Sequence, residues 1–217
     1  MTSLIFTISA ILSYVFSVVL LIYSLVFCFR SYQPGYMKSL PIYCFGNVLA
    51  NFLNAFYTEF QGVIYLLFTV FELLYFSYFL TRLITTSGVN KLVWILTGLL
   101  MAYIIFHIIK KDAESFVDPF EVLECIILII PCLVYFWEIF SKPKVMDLRR
   151  EPSFWMVAGI LFYFVLLIPT VFFSSYFLYL KKEAIAKAFY SINNYAQVIS
   201  FLLFIKAMRW RRKVSFR

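Results

Sequence analysis

The sequence predicts an all-α polytopic membrane protein: a seven transmembrane helix bundle with its N-terminus outside and its C-terminus inside. Three observations predict it. Of 217 residues, 64% are hydrophobic and 14% are charged, against roughly 45–50% and about 25% in soluble domains. The apolar runs are continuous, as in LIFTISAILSYVFSVVLLIY, which suits membrane helices and not the alternating ~10-residue strands of a barrel. When seven spans alternate, fourteen of the 19 Lys and Arg fall on the side of the C-terminus, and positive charge marks the cytoplasm. A mean hydropathy of +0.90 agrees. A soluble chain of this length could not cover so much apolar side chain. A soluble enzyme, a disordered chain, a disulfide scaffold and a large extramembrane domain are excluded. One transmembrane domain is expected over residues 1–208, with a basic cytoplasmic tail over 209–217.

A membrane helix needs about 20 largely apolar residues, and seven segments meet or approach this. Span one is Leu4–Cys28. No Lys or Arg precedes it, and its run of 25 residues far exceeds the 7–15 of a signal-peptide core, so it reads as a permanent span. Span two, Leu40–Tyr57, is the weakest, because Asn47, Asn51 and Asn54 interrupt it. Span three, Val63–Leu83, carries Glu72 near its middle. Span four, Leu92–Ile109, ends near His107, and span five, Pro119–Phe140, carries Glu121 and Glu124. Span six, Ser153–Leu180, contains Pro169 and Thr170, where a kink would free a carbonyl. Span seven, Ala188–Ala207, carries Asn193, Asn194 and Gln197. The joints between spans are too short to fold alone. No internal repeat or low-complexity stretch is present.

Trp94, Trp137, Trp155 and Trp210 all fall at span ends on the inner side, where an indole ring is half apolar and half wet. Most acidic residues, among them Glu59, Asp112, Glu114 and Asp118, fall on the outer side. The tail RWRRKVSFR should lie along anionic lipid, at about 1 kcal/mol per basic residue. The net charge of +8 therefore reads as positive-inside anchoring and not as nucleic-acid binding.

The single histidine, His107, excludes bis-histidine haem, the histidine-rich membrane desaturases and hydroxylases, and three-histidine zinc amidases. It reads as an interfacial residue. Retinal is disfavoured because the last span has Lys187 at its entrance and Lys206 near its exit, with no Lys between. No Asp lies inside any span, which speaks against a lysoplasmalogenase-like hydrolase. Cys28, Cys44, Cys125 and Cys132 lack metal spacing and read as small packing residues. Six Gly form no phosphate loop. No catalytic residue, cofactor or metal is expected, and the chain does not read as an enzyme.

The informative residues are the polar ones at bilayer depth, which usually face the bundle interior or a wet cavity. At about 1.5 Å per residue, Glu72 lies roughly 14 Å from the outer boundary. Asn47 and Gln197 fall at a similar depth, with Asn51, Glu124, Asn193 and Asn194 in a layer nearer the outside. Asn47, Asn51 and Asn54 share one helix face, as do Asn194 with Gln197, and Tyr65 with Thr69 and Glu72. This pattern suggests an outward-facing polar pocket with Asn47, Asn51, Glu72, Glu124, Asn194 and Gln197 as ligand-binding residues. The competing reading is interhelical glue, at around 0.6 kcal/mol per bond. Glu72 should find amide and hydroxyl partners rather than a salt bridge, since the basic groups lie near span ends.

The segments NFLNAFYTEF, VFELLYFSYFL, EPSFWMVAGILFYF and SINNYAQVISFLLFIKAM resemble a group of uncharacterised seven-span integral membrane proteins of Bacteroidota, often found beside sensor histidine kinases. The resemblance covers most of the chain in style and spacing. It implies a multi-pass protein of the bacterial cytoplasmic (inner) membrane and transfers no catalytic residue. The leading expectation is a small sensory or signalling module that binds a small or lipidic ligand. Its partners would be the lipid bilayer and a cytoplasmic or membrane signalling protein, with no nucleic acid. The alternatives are a structural or accessory subunit of a larger membrane complex, a proton-coupled carrier using Glu72, and a lipid-modifying enzyme using Glu72 and Glu124.

The charge distribution makes one direct prediction. Single cysteines placed in Met1–Ser3 or Lys110–Asp118 should react with an impermeant reagent in intact cells. Cysteines in Lys142–Arg150 or the tail should react only after the membrane is opened. Tail labelling in intact cells would reverse the orientation.

Overall fold

The computed structural model describes residues 2–28, 35–57, 60–109, 117–141, 148 and 151–209. Among these are seven α-helices and one 3-10 turn. The helices are α1 (Thr2–Cys28), α2 (Leu40–Phe56), α3 (Gln61–Thr81), α4 (Ser87–Ile109), α5 (Val117–Ser141), α6 (Pro152–Tyr179) and α7 (Glu183–Arg209), and the turn is Gly35–Ser39. All but α2 are long and apolar enough to cross a membrane, so the chain is a multi-pass membrane protein. α2 has 17 residues, about 25 Å of rise, and the turn continues directly into it. The expectations placed on Glu59, Asp112, Glu114, the joint Lys142–Arg150, Trp210 and the tail lie outside the described residues. So do those on the side chains of His107 and Asp118.

Local chemistry sets several boundaries. α2 and α6 each carry a proline in their first turn, where the missing N–H costs nothing. α6 ends on Lys181 at φ 56°, a left-handed residue that turns the chain straight into α7. The Lys182 and Lys181 amides close that turn on the carbonyls of Phe177 at 2.8 Å and Leu178 at 2.9 Å, which satisfies the helix end. The start of α4 is capped from another helix. The Glu138 carboxylate of α5 accepts from the Thr85 and Thr86 amides, both at 2.9 Å, and from their hydroxyls at 2.9 and 2.6 Å. This fixes the α3–α4 turn against α5 and places a negative group at the helix N-terminus.

Helix pairing runs α1–α2–α3–α5–α6–α7 and back to α1, a closed ring of six, with α4 outside it against α3 and α5. Neighbours in the ring are antiparallel except α3 with α5 and α1 with α7. The upper end holds the start of α1, and the lower end holds the finish of α7. On α1, Ile8, Ile11, Val15, Val19, Ile22 and Val26 are exposed, while Ser9, Ser13, Ser17, Leu20, Ser24 and Phe27 are buried. That is an apolar face for lipid and a small-residue face for its neighbours, as close packing in membranes favours. The buried hydroxyls also bond back to their own helix, Ser17 to the Ser13 carbonyl at 2.9 Å and Ser24 to that of Leu21 at 2.8 Å.

The lower half of the interior is aromatic. Tyr43 lies 4.7 Å from Phe76, Phe76 meets Phe164 edge-on at 5.7 Å, and Phe201 and Phe204 are fully buried beside them. At the lower end, Lys206 sits 3.5 Å over the Trp155 ring, Arg82 lies 5.2 Å from Tyr78, and Arg209 lies 5.9 Å from Tyr23. These cation–π contacts join the basic and aromatic residues that the sequence places at one level.

α6 and α7 approach closely at Gly159. A Cβ there would stand 2.8 Å from the Phe204 ring and 3.2 Å from the Ser200 carbonyl oxygen. At Gly98 a Cβ would meet nothing within 4 Å. Gly159→Ala is therefore expected to destabilise the bundle by about 1–3 kcal/mol through overpacking, and Gly98→Ala should leave it unchanged or slightly more stable. Thermal unfolding of the solubilised protein measures both, and equal midpoints would refute the close approach.

Candidate functional site

The polar faces of six helices converge at the upper end. On α2 the residues Tyr43, Asn47, Asn51 and Asn54 recur at helical spacing along one face. On α3 the corresponding line is Gln61, Tyr65, Thr69 and Glu72. α5 contributes Glu121 and Glu124, one turn apart. α7 contributes Tyr190, Asn193, Asn194 and Gln197, and α1 contributes Ser9 and Ser13. Between these helices lies a cavity of about 520 Å³, reached by Phe6 and Ala10 of α1, Asn54 of α2, Gln61 and Tyr65 of α3, and Glu121 of α5. Thr170 and Ser174 of α6 and Tyr190, Asn193 and Asn194 of α7 complete its wall. Its size suits a small molecule.

Beneath the cavity lies an acidic layer. Glu72, Glu121 and Glu124 are all buried. The Tyr43 hydroxyl donates to Glu72 Oε1 at 2.7 Å, and the Tyr65 hydroxyl donates to Glu121. Glu124 is within electrostatic reach of both other carboxyls, and Tyr163 of α6 is within reach of all three. Glu124 Oε1 is buried without a hydrogen-bond partner. Every buried charged side chain among the described residues is an acid.

The six residues expected from the sequence divide into three groups. Glu72 and Glu124 meet in the acidic layer. Asn47 and Asn51 bond to each other along α2, Asn51 Nδ2 donating to the Asn47 carbonyl and to Oδ1, both at 3.0 Å. Asn194 and Gln197 join α7 to α1: Asn194 Nδ2 donates to Ser9 Oγ at 3.1 Å, and Ser13 donates to Gln197 Oε1. Asn194 alone of the six lines the cavity. The partner of Glu72 is thus a tyrosine hydroxyl and not the amides, because those amides are engaged on their own helix or with α1. Pro169 leaves α6 continuous, and the Thr170 hydroxyl bonds back to the carbonyls of Leu166 and Leu167 at 3.0 and 2.8 Å.

Sequence reasoning missed Tyr43, Tyr163, Ser9 and Ser13. Tyr43 stands one turn before the Asn stripe, on the same face, which was the available signal. The serines recur at four-residue spacing along α1, a pattern that also fits plain packing. No family model, curated protein or solved structure matches the chain.

The Tyr43–Glu72 bond has a measurable consequence. Glu72→Leu strands the buried hydroxyl and should cost about 1–3 kcal/mol. Glu72→Gln keeps an acceptor and should cost less than about 1 kcal/mol. Adding Tyr43→Phe to Glu72→Leu should recover part of the loss, since replacing both partners by apolar groups is nearly neutral. Unfolding midpoints of the four proteins test this, and equal stability of the Leu and Gln variants would show the bond to be incidental.

Proposed function

We propose that the chain is a seven-span sensory or signalling module of the bacterial cytoplasmic membrane, with its N-terminus outside. It takes a small polar ligand into the upper cavity and passes a helix shift to a cytoplasmic or membrane partner. The observation that carries this reading is the cavity itself, bordered by six helices with Glu121 in its wall, and with Glu72 and Glu124 buried deeper on α3 and α5. A ligand there touches α1, α2, α3, α5, α6 and α7 together, so occupancy biases how they pack, as a ligand-driven population shift requires. The aromatic layer beneath, Tyr43, Phe76, Phe164, Phe201 and Phe204, supports sensing over passage. α2 acts as the seventh span, extended at its lower end by the 3-10 turn. A second reading, a proton-coupled carrier, draws on the buried Tyr43–Glu72 pair.

The test uses the full chain in lipid nanodiscs, screened by thermal shift against fractions of small polar metabolites. At least one fraction should stabilise the wild type, by about 2.7 kcal/mol at a hundredfold excess over Kd. Ser174→Trp, which fills the cavity, should abolish the effect while the protein stays folded. Solute uptake into proteoliposomes that follows a proton gradient and vanishes in Glu72→Gln would replace this reading with the carrier.

A further inference from the structure

Three buried oxygens at the upper end make no hydrogen bond: Asn54 Oδ1 of α2, Asn193 Oδ1 of α7 and Glu124 Oε1 of α5. Asn54 and Asn193 line the cavity. Glu124 lies one helical turn below Glu121, which also lines it, and is only 1% exposed. A native structure rarely leaves such atoms unpaired; Asn54 and Asn193 approach the cavity from two helices, and Glu124 stands behind its wall, one turn beneath Glu121. All three are acceptors, so their complement is a donor-rich group. Charge narrows the choice. Glu124 has Glu72 and Glu121 as its electrostatic neighbours, and Glu72 has Glu121 together with its Tyr43 bond; among the described residues every buried charged side chain is an acid. Phe6, Tyr65 and Tyr190 place aromatic rings in the wall, which suits a cation.

Size and ligand geometry narrow it further. No three His, Cys, Asp or Glu among the described residues stand close enough to hold a metal ion, and about 520 Å³ far exceeds a bare ion. We propose that the cavity binds a small organic ammonium, its charged N–H donors directed toward Asn54 and Asn193 beside Glu121, with the Glu124 carboxyl beneath them and the ligand's hydrocarbon part against the aromatic wall. This rests on reading the cavity as a ligand site and adds the class of ligand.

The probe is benzylammonium chloride, titrated into the nanodisc-embedded full chain at constant ionic strength. Benzyl alcohol and benzoate serve as neutral and anionic isosteres. Benzylammonium should stabilise the protein, and the two isosteres should not. Glu124→Gln should weaken it several-fold, since an acidic group beneath the bound ammonium is lost. Should Glu124→Gln fail to insert, Asn193→Leu carries the test, with several-fold weaker binding expected. Isosteres that bind as well as the ammonium, or Glu124→Gln at full affinity, would overturn the cation and leave the ligand site standing. Silence toward benzylammonium, with a metabolite fraction still acting through the cavity, does the same. Silence toward every probe and every fraction overturns both.

Discussion

The constraint on which the structure depends is the absence of water inside the bilayer. Each backbone amide in a span must be paired within its own helix, which is why the chain resolves into helices and short joints. The same demand falls on every polar side chain. Serines on α1 bond back to their own carbonyls, Ser77 pairs with Thr97 at 3.0 Å, and Tyr135 donates to Ser153 at 2.8 Å. These pairings place polar residues on inward faces and leave Ile, Val, Leu and Phe for lipid. The ring of helices is in this sense an arrangement for satisfying hydrogen bonds as much as for packing apolar surface.

What was legible in the sequence follows from that constraint. Some apolar runs lie close to the helix limits, Leu4–Cys28 against helix Thr2–Cys28 and Ser153–Leu180 against Pro152–Tyr179, whereas α4 and α7 start at Ser87 and Glu183, five residues before the runs Leu92–Ile109 and Ala188–Ala207, because a helix can begin in a polar stretch. α2 was the weakest span on the page and is the shortest helix. The burial of Glu72 and Glu124 agrees with the inward orientation expected of acidic residues within apolar helices. Helix order around the ring was not legible. Nothing local tells α4 that it stands outside α3 and α5, because that position is set by surfaces far apart in sequence. Partners were illegible for the same reason. With 16 Tyr in the chain, no sequence rule selects Tyr43 as the donor to Glu72. The serines of α1 are small enough to pass for packing residues until Asn194 and Gln197 are seen against them.

The two halves of the interior do different work. Below Glu72 aromatic rings interlock across α2, α3 and α6, with Phe201 and Phe204 of α7 packed against each other, and such a layer changes by discrete repacking and not by gradual compression. Above it the helices flank the cavity and are joined by polar contacts, among them Ser13 with Gln197 and Ser9 with Asn194. In the proposed signalling role, a movement begun at the top would have to pass through the aromatic layer to reach the lower end. There Lys206 and Trp155 tie α7 to α6, and Arg209 reaches Tyr23 of α1.

The acidic layer differs from the polar contacts that join helices. Glue is satisfied on both sides: Ser13 has Gln197, Asn194 has Ser9, and each pair ties α1 to α7. Glu72 and Glu121 are held by tyrosine hydroxyls, donors that bring no positive charge with them. Tyr43 and Tyr65 thus position the two carboxyls without neutralising them, as an arginine or lysine would. Glu124 stands in the same field with an oxygen still unbonded. Selection for stability alone would favour an apolar side chain at that position, since a buried unpaired acid weakens the fold. An unpaired carboxyl there, near two others and beneath a cavity with aromatic residues in its wall, is the feature on which the proposed recognition of a positive group rests.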